Sequence, residues 1–305
     1  MSPWVGTRGS RRYDEMGKLG RRGLQGLGDM LGEPELRIEE PVGGIIQIRL
    51  SSRLTRSSGM EASLYLRGST LIDAGFSHAR APLIAFLGTR SISLIALTHH
   101  HEDHCGVAGA IGTQHGCPIY LRSVQRRHEE GLAALKPYRL LWWGEPMPYQ
   151  PLEMPERITT EEGSLLAVPI PGHSESHTAL FDETSGVAFT GDLFITGGVT
   201  AVMSHENPYQ SIASLRRVAD LGARWMLTGH ARVVRDPAQA LRAKADRIEQ
   251  AASEVLELRA RHWSTGEIVR KIFRKGRLED EGFRLLTAGE FSRANFVRAC
   301  VRHAP

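Results

Sequence analysis

The stretch Thr98-His99-His100-His101-Glu102-Asp103-His104 constrains this chain more than any other. Four histidines and two acids stand within seven residues, and an apolar run, residues 92–97, leads straight into them. A short apolar run reads as a strand buried on both faces, so the polar residues crowd onto the loop at its carboxyl end. That crowding is costly unless something uses the lone pairs. Imidazole and carboxylate together suit zinc, iron or manganese. On an extended loop alternate side chains point to opposite sides. His99, His101 and Asp103 therefore separate from His100 and Glu102, which are expected to face solvent.

The same grammar recurs along the chain. Apolar runs at 69–72, 165–170, 186–189 and 224–227 end, respectively, at Asp73-Ala74-Gly75, Pro171-Gly172-His173, Thr190-Gly191-Asp192 and Thr228-Gly229-His230. A rigid sheet can aim several such loops at one point. Further strands are expected at 45–50, 62–67, 118–121 and 178–181, and helices at 81–87, 106–115, 123–135 and 209–221. Residues 136–160 hold several prolines and Trp142-Trp143, and read as a long excursion or lid. Those tryptophans either wall a substrate cleft or anchor the excursion.

The chain has three parts on this reading. Residues 1–40, rich in Gly, Arg and Glu, are a disordered tail with a helical turn near 24–30. Residues 41–235 hold the potential ligands at the strand ends and form the main domain. Residues 236–305 are a small helical, winged-helix-like module, with helices at 238–260 and 288–303. In it Ser264 and Glu267 have the spacing of a capping box.

Composition narrows the function classes. A formal net charge of +4 comes from scattered basic residues, which makes nucleic acid an unfavoured partner. No apolar run is long enough for a membrane helix. Cys105, Cys117 and Cys300 have no CxxC spacing, so a disulfide framework is not expected and a cytoplasmic location fits. Cys105 is read as a small packing residue.

The run His99-x-His101-x-Asp103-His104, followed in order by His173, Asp192 and His230 and preceded by Asp73 in an Asp-x-Gly turn, resembles the metallo-β-lactamase superfamily. Within it, the Thr98–His104 segment looks most like the glyoxalase II group, the hydroxyacylglutathione hydrolases. The C-terminal helices look more like those of the β-lactamase-like hydrolases. The resemblance implies an α/β fold, a four-layered αβ/βα sandwich with metals at one edge of two packed sheets. It also implies that His99, His101 and His173 bind one metal, that Asp103, His104 and His230 bind a second, and that Asp192 bridges them. Two zinc ions per chain are expected, with iron or manganese as alternatives. Asp73 and His177 are expected to support the ligands from behind, although His177 could also face substrate.

The expected activity is hydrolysis of an ester or thioester of a small molecule by a metal-bridged hydroxide, with Asp103 orienting it. The alternatives are a phosphodiesterase or ribonuclease, a mononuclear-iron persulfide dioxygenase, and a non-catalytic metal-stabilised binding protein. A homodimer is compatible with all of them.

Overall fold

Alternation of side chains builds the first sheet. β1 (Glu35–Val42) and β2 (Ile45–Ser51) pair antiparallel across a Gly43-Gly44 turn, with Gly44 at φ 74°. β3 (Ala62–Arg67) and β4 (Thr70–Ile72) continue the antiparallel meander. From β4 the sheet turns parallel through β5 (Leu94–Ala96), β6 (Ile119–Leu121) and β7 (Leu152–Glu153). Parallel neighbours need crossovers. Helices α2 (Arg80–Leu87) and α4 (Ala108–His115) supply two of them; α1 (Arg53–Ser58) lies between β2 and β3, and the one-turn α3 (Glu102–Cys105) precedes α4. The computed structural model describes residues 32–122, 135–199, 201–273 and 277–305. Among them the strands form one seven-stranded sheet, one six-stranded sheet and one two-stranded ribbon.

The six-stranded sheet runs in the order β14-β13-β11-β10-β9-β8. Its strands are β8 (Arg157–Thr160), β9 (Gly163–Pro169), β10 (Thr178–Asp182), β11 (Val187–Phe189), β13 (Trp225–Leu227) and β14 (Val233–Arg235). Only β11 and β13 pair parallel. The crossover between them carries the ribbon strand β12 (Val202–Met203) and α6 (Pro208–Ala219), while α5 (Pro137–Trp143) lies earlier, ahead of β7.

Three apolar clusters stack through the molecule. Leu83, Leu87 and Ile111 cover the outer face of the first sheet, against Leu64, Leu71 and Ile95. Ile72, Leu94 and Ala96 meet Leu165, Leu180 and Phe189 between the sheets, where the rings of Tyr65 and Phe189 lie 5.4 Å apart. Beyond the second sheet, Ile212 and Leu215 of α6 pack with Leu241, Ala245 and Ala252 of α7 (Ala238–Ala260). This is the four-layered αβ/βα sandwich.

The last helices join the same outer cluster. Ile268 of α8 (Thr265–Ile272), and Phe296 and Val297 of α10 (Arg293–Arg302), pack there, while α9 (Arg277–Leu286) lies between these helices in sequence. The Ser264 box forms as the spacing implies, with Ser264 Oγ accepting from the Glu267 amide and the Glu267 carboxylate accepting from the Ser264 amide. The final helix begins at Arg293 rather than 288, because Phe291–Ser292 (β15) pairs with β12 and Ser292 Oγ accepts from the Asn295 amide at 3.1 Å.

Two expectations need correcting. The tail does not reach residue 40: the alternation of Leu36 and Ile38 with charged residues makes Glu35–Val42 an edge strand. Residues 136–160 are not an irregular excursion, since they hold α5, β7 and β8. Trp143 anchors that segment, buried 5.2 Å from the Phe76 ring. The expected turn near 24–30 and all but the last residue of the expected helix at 123–135 lie outside the described residues.

Phe189→Ala should empty part of the layer between the sheets and cost about 3–5 kcal/mol. Ile38→Ala, on the exposed edge strand, should cost less than about 0.5 kcal/mol. Urea denaturation of the two variants checks the contrast.

Candidate metal centre

β4 and β5 run parallel, and so do β11 and β13; β9 shares the direction of β11 because β10 is antiparallel to both. Asp73, the His99–His104 run, His173, Asp192 and His230 all follow the carboxyl ends of these five strands. Two backbone bonds stitch the sheets together beside them, from Thr178 N to Thr98 O at 2.9 Å and from Ser63 N to Gly229 O at 2.7 Å. Tyr65 Oη adds a third tie by donating to Thr228 O at 2.6 Å.

The seven predicted ligands come together as two donor sets, His99-His101-His173-Asp192 and Asp103-His104-Asp192-His230. Within each set the donor atoms lie within 4.8 Å of one another. In the first, His101 Nδ1 is 3.0 Å from His99 Nε2 and 2.9 Å from His173 Nε2, and Asp192 Oδ2 is 3.5 Å from His173 Nε2. In the second, Asp103 Oδ2 is 3.6 Å from His104 Nε2 and 3.5 Å from His230 Nε2. Asp192 Oδ2 is 3.3 Å from His230 Nε2. Asp192 belongs to both sets.

The inward nitrogens of His99, His104, His173 and His230 can present lone pairs to a metal because their other nitrogens are held from behind. His104 Nδ1 lies 2.8 Å from Asp73 Oδ2, a carboxylate oxygen that can only accept, so Nδ1 carries the proton. His230 Nδ1 donates to Glu61 O at 2.9 Å. Thr98 Oγ1 donates to Asp73 Oδ2 at 2.9 Å and so accepts from His99 Nδ1 at 3.1 Å. His173 turns Nδ1 toward Glu206, 3.6 Å away. Such partners set the tautomer and raise ligand basicity. Asp73 also accepts the Thr98 amide at 2.7 Å, and its backbone sits at φ 60°, a region Asp tolerates better than most residues.

The donor set fits cations. His104 Nε2 and Asp192 Oδ1 are 3.1 Å apart, yet neither makes a hydrogen bond of acceptable geometry and both are buried without a partner among the described residues. Two acceptors turned to one point in that way suit a metal ion. In the bare site protons take the place of that positive charge. Burial pushes the His99 and His101 imidazoles well down, with the neighbouring imidazoles adding to it. Burial also opposes charge on His104, His173 and His230, but the carboxylates outweigh it. His230 is raised to about 9, chiefly by Asp192.

The surrounding residues were read less well. Glu102 is buried, not exposed: its carboxylate accepts from Arg139 Nε at 2.9 Å and Nη2 at 2.8 Å. Residues 102–105 form a helical turn, where the alternation of an extended chain does not apply. Arg139 Nη1 continues to Glu290 at 2.6 Å. His100 is half-buried, with Nδ1 2.9 Å from Ser176 Oγ. Cys105 is a buried packing residue whose thiol donates to His100 O. His177 Nε2 accepts the Asp192 amide at 3.2 Å. Glu206 went unnoticed because its loop, between β12 and α6, has no period; its one signal was the adjacent Asn207-Pro208 helix start.

The model of the Metallo-beta-lactamase superfamily matches residues 63–230, more than half of the chain. The chain belongs to the metallo-β-lactamase superfamily. It is 31% identical over 191 residues to an atrochrysone carboxyl ACP thioesterase from Aspergillus fumigatus, a match covering 61% of this chain and 54% of the relative. It is 33% identical over 156 residues to a hydroxyacylglutathione hydrolase from Cereibacter sphaeroides, covering 49% of this chain and 53% of that one. The metallo-β-lactamase chain thus spans about half the length of these relatives. A beta-lactamase domain protein from Burkholderia ambifaria shares the fold, with a TM-score of 0.64, 19% identity, and coverage of 88% of this chain and 89% of its own.

Two substitutions probe the supports. At Gly229 an added Cβ would lie 2.4 Å from His104 Cε1 and 2.8 Å from Asp192 Oδ1. Gly229→Ala should keep the circular dichroism of the fold but weaken metal binding by about 10–100-fold, measured by competition with a chromophoric chelator. Arg139→Leu strands two carboxylates and should destabilise by about 3–5 kcal/mol. Adding Glu102→Gln and Glu290→Gln should restore much of that in a denaturant titration.

Proposed function

We propose that the chain is a dinuclear, zinc-dependent hydrolase of small-molecule thioesters. The observation that carries this is the pair of donor sets sharing Asp192. His99, His101 and His173 would hold one ion; Asp103, His104 and His230 would hold the other. Mixed imidazole and carboxylate donors suit zinc. When bound, such a pair supplies water acidified to near neutrality and positive charge beside the acyl oxygen.

The chain's own groups do the rest. Asp103 is buried, with Oδ2 between His104 and His230. There it orients the attacking water and accepts its proton. His177 is pushed down to about 3, by burial first and then by the neighbouring His173, so it stays neutral and holds the Asp192 backbone. Asp73 and Glu206 keep the ligand rings facing inward.

The choice of thioesters rests on the relatives, two of which are named for thioester or acylglutathione hydrolysis. It also rests on what surrounds the site: the cavity beside it is walled mostly by apolar side chains, where a polyanion reader needs a row of cations.

Elemental analysis of the purified protein should find two zinc equivalents. Replacing His101 and Asp103 together by Ala should remove the metal and lower thioester hydrolysis by at least about a thousandfold. Full metal retention in that variant, or turnover of phosphodiesters but not thioesters by the native protein, would sink the assignment.

A further inference from the structure

A cavity opens directly beside the candidate metal centre. It encloses about 780 Å³ of empty space, including its open mouth, and His173, His177 and Asp192 form part of its wall. The enclosed space that a small ligand could fill within it is about 100 Å³. Apolar side chains, among them Ile170, Leu193, Leu215, Ile248, Phe291 and Phe296, make most of the remainder, and Glu206 adds a carboxylate. Lys244, on α7, is the one cationic side chain among the described residues that line it. Its Nζ donates to Leu193 O at 3.0 Å, the carbonyl next to Asp192, and lies 5.2 Å from the Phe194 ring. An ammonium has three donors, so Lys244 retains capacity for a ligand close to the reacting end of the cavity.

A second donor stands on the same wall. His177 Nε2 accepts the Asp192 amide, so in the neutral ring Nδ1 bears the hydrogen. That atom is buried and has no hydrogen-bond partner among the described residues. A buried donor of this kind costs free energy unless an acceptor meets it. The wall therefore combines an apolar surface with two donors near the metals.

We propose that this cavity takes the acyl group of the substrate, and that Lys244 and His177 recognise an oxygen carried on that acyl chain near its thioester end. This rests on the thioester reading above. The thiol carriers of biological thioesters are polar and long, and belong toward solvent; the apolar wall suits the acyl side. An oxo group and a carboxylate share the chemistry the donors need.

The test uses N-acetylcysteamine thioesters and the metal-loaded full chain. With acetyl, butanoyl and hexanoyl thioesters, kcat/KM should rise about fourfold per added methylene. Ile248→Trp, which fills the cavity, should flatten that rise. Among four-carbon groups, 3-oxobutanoyl or succinyl should exceed butanoyl, the better of the two telling an oxo group from a carboxylate. Lys244→Met should collapse that ratio by about tenfold or more. Insensitivity to chain length, or equal losses on all acyl groups in Lys244→Met, would overturn the proposal. Calorimetry with butanoate, 3-oxobutanoate and succinate gives a readout independent of turnover. If no thioester is hydrolysed but the oxygenated acids bind more tightly than butanoate, and Lys244→Met removes the difference, the thioester reading fails and the cavity assignment stands. Equal binding of all three acids by the native chain overturns the cavity assignment as well.

Discussion

A single carboxylate lets this site exist. Asp192 is buried, and burial pushes its carboxyl up, yet His230 and His104 hold it well below the ordinary carboxylate range. It is the only group common to both donor sets among the described residues. Five imidazoles and two carboxylates packed at 3–4 Å need a charge of each sign at their centre. Without a cation, protons drawn to His104, His173 and His230 supply the positive sign. A bound metal cation would replace them with charge that does not dissociate at neutral pH.

Around that centre, order comes from groups that never touch the reacting atoms. Asp73 accepts three hydrogen bonds, two from Thr98 and one from His104. It thereby fixes both ends of the ligand run to the carboxyl end of β4. Glu61 O and Glu206 do the same for His230 and His173. Gly229 matters for the opposite reason: its missing side chain lets the backbone lie against His104 and Asp192. The ligand loops are thus preorganised by the sheets, and the fold leaves them little freedom to collapse onto each other.

The seven candidate ligands were legible because each follows an apolar run that ends abruptly, and covalent adjacency survives folding. The same logic recovered most strands, and the Ser264 cap. Glu102 shows where it stops. Its place beside two ligands was visible, but whether it pointed in or out depended on the chain being helical there, and its partners lie 37 residues away at Arg139 and, through it, at Glu290. Glu206 and Lys244 are the same kind of case. Nothing local distinguishes them from solvated charges on a loop and a helix; only tertiary packing brings them to the site.

That difference has a direction along the chain. The family match ends at residue 230, with the last ligand. Lys244, Ile248, Phe291 and Phe296, which wall the cavity, all come after it. The ligand run and the strand ends thus hold the donor sets, while α7 and the final helices add a smaller share of the cavity wall, Lys244 among it. Ligand geometry tolerates almost no change, since one extra methyl at Gly229 would strike two ligands. A helix face such as that of Lys244 and Ile248 can exchange side chains and keep its packing, as long as volume is conserved. Selectivity can thus drift in the C-terminal helices while the centre stays fixed. This separation is why a motif that marks the donor sets so sharply does not by itself name what the site acts on.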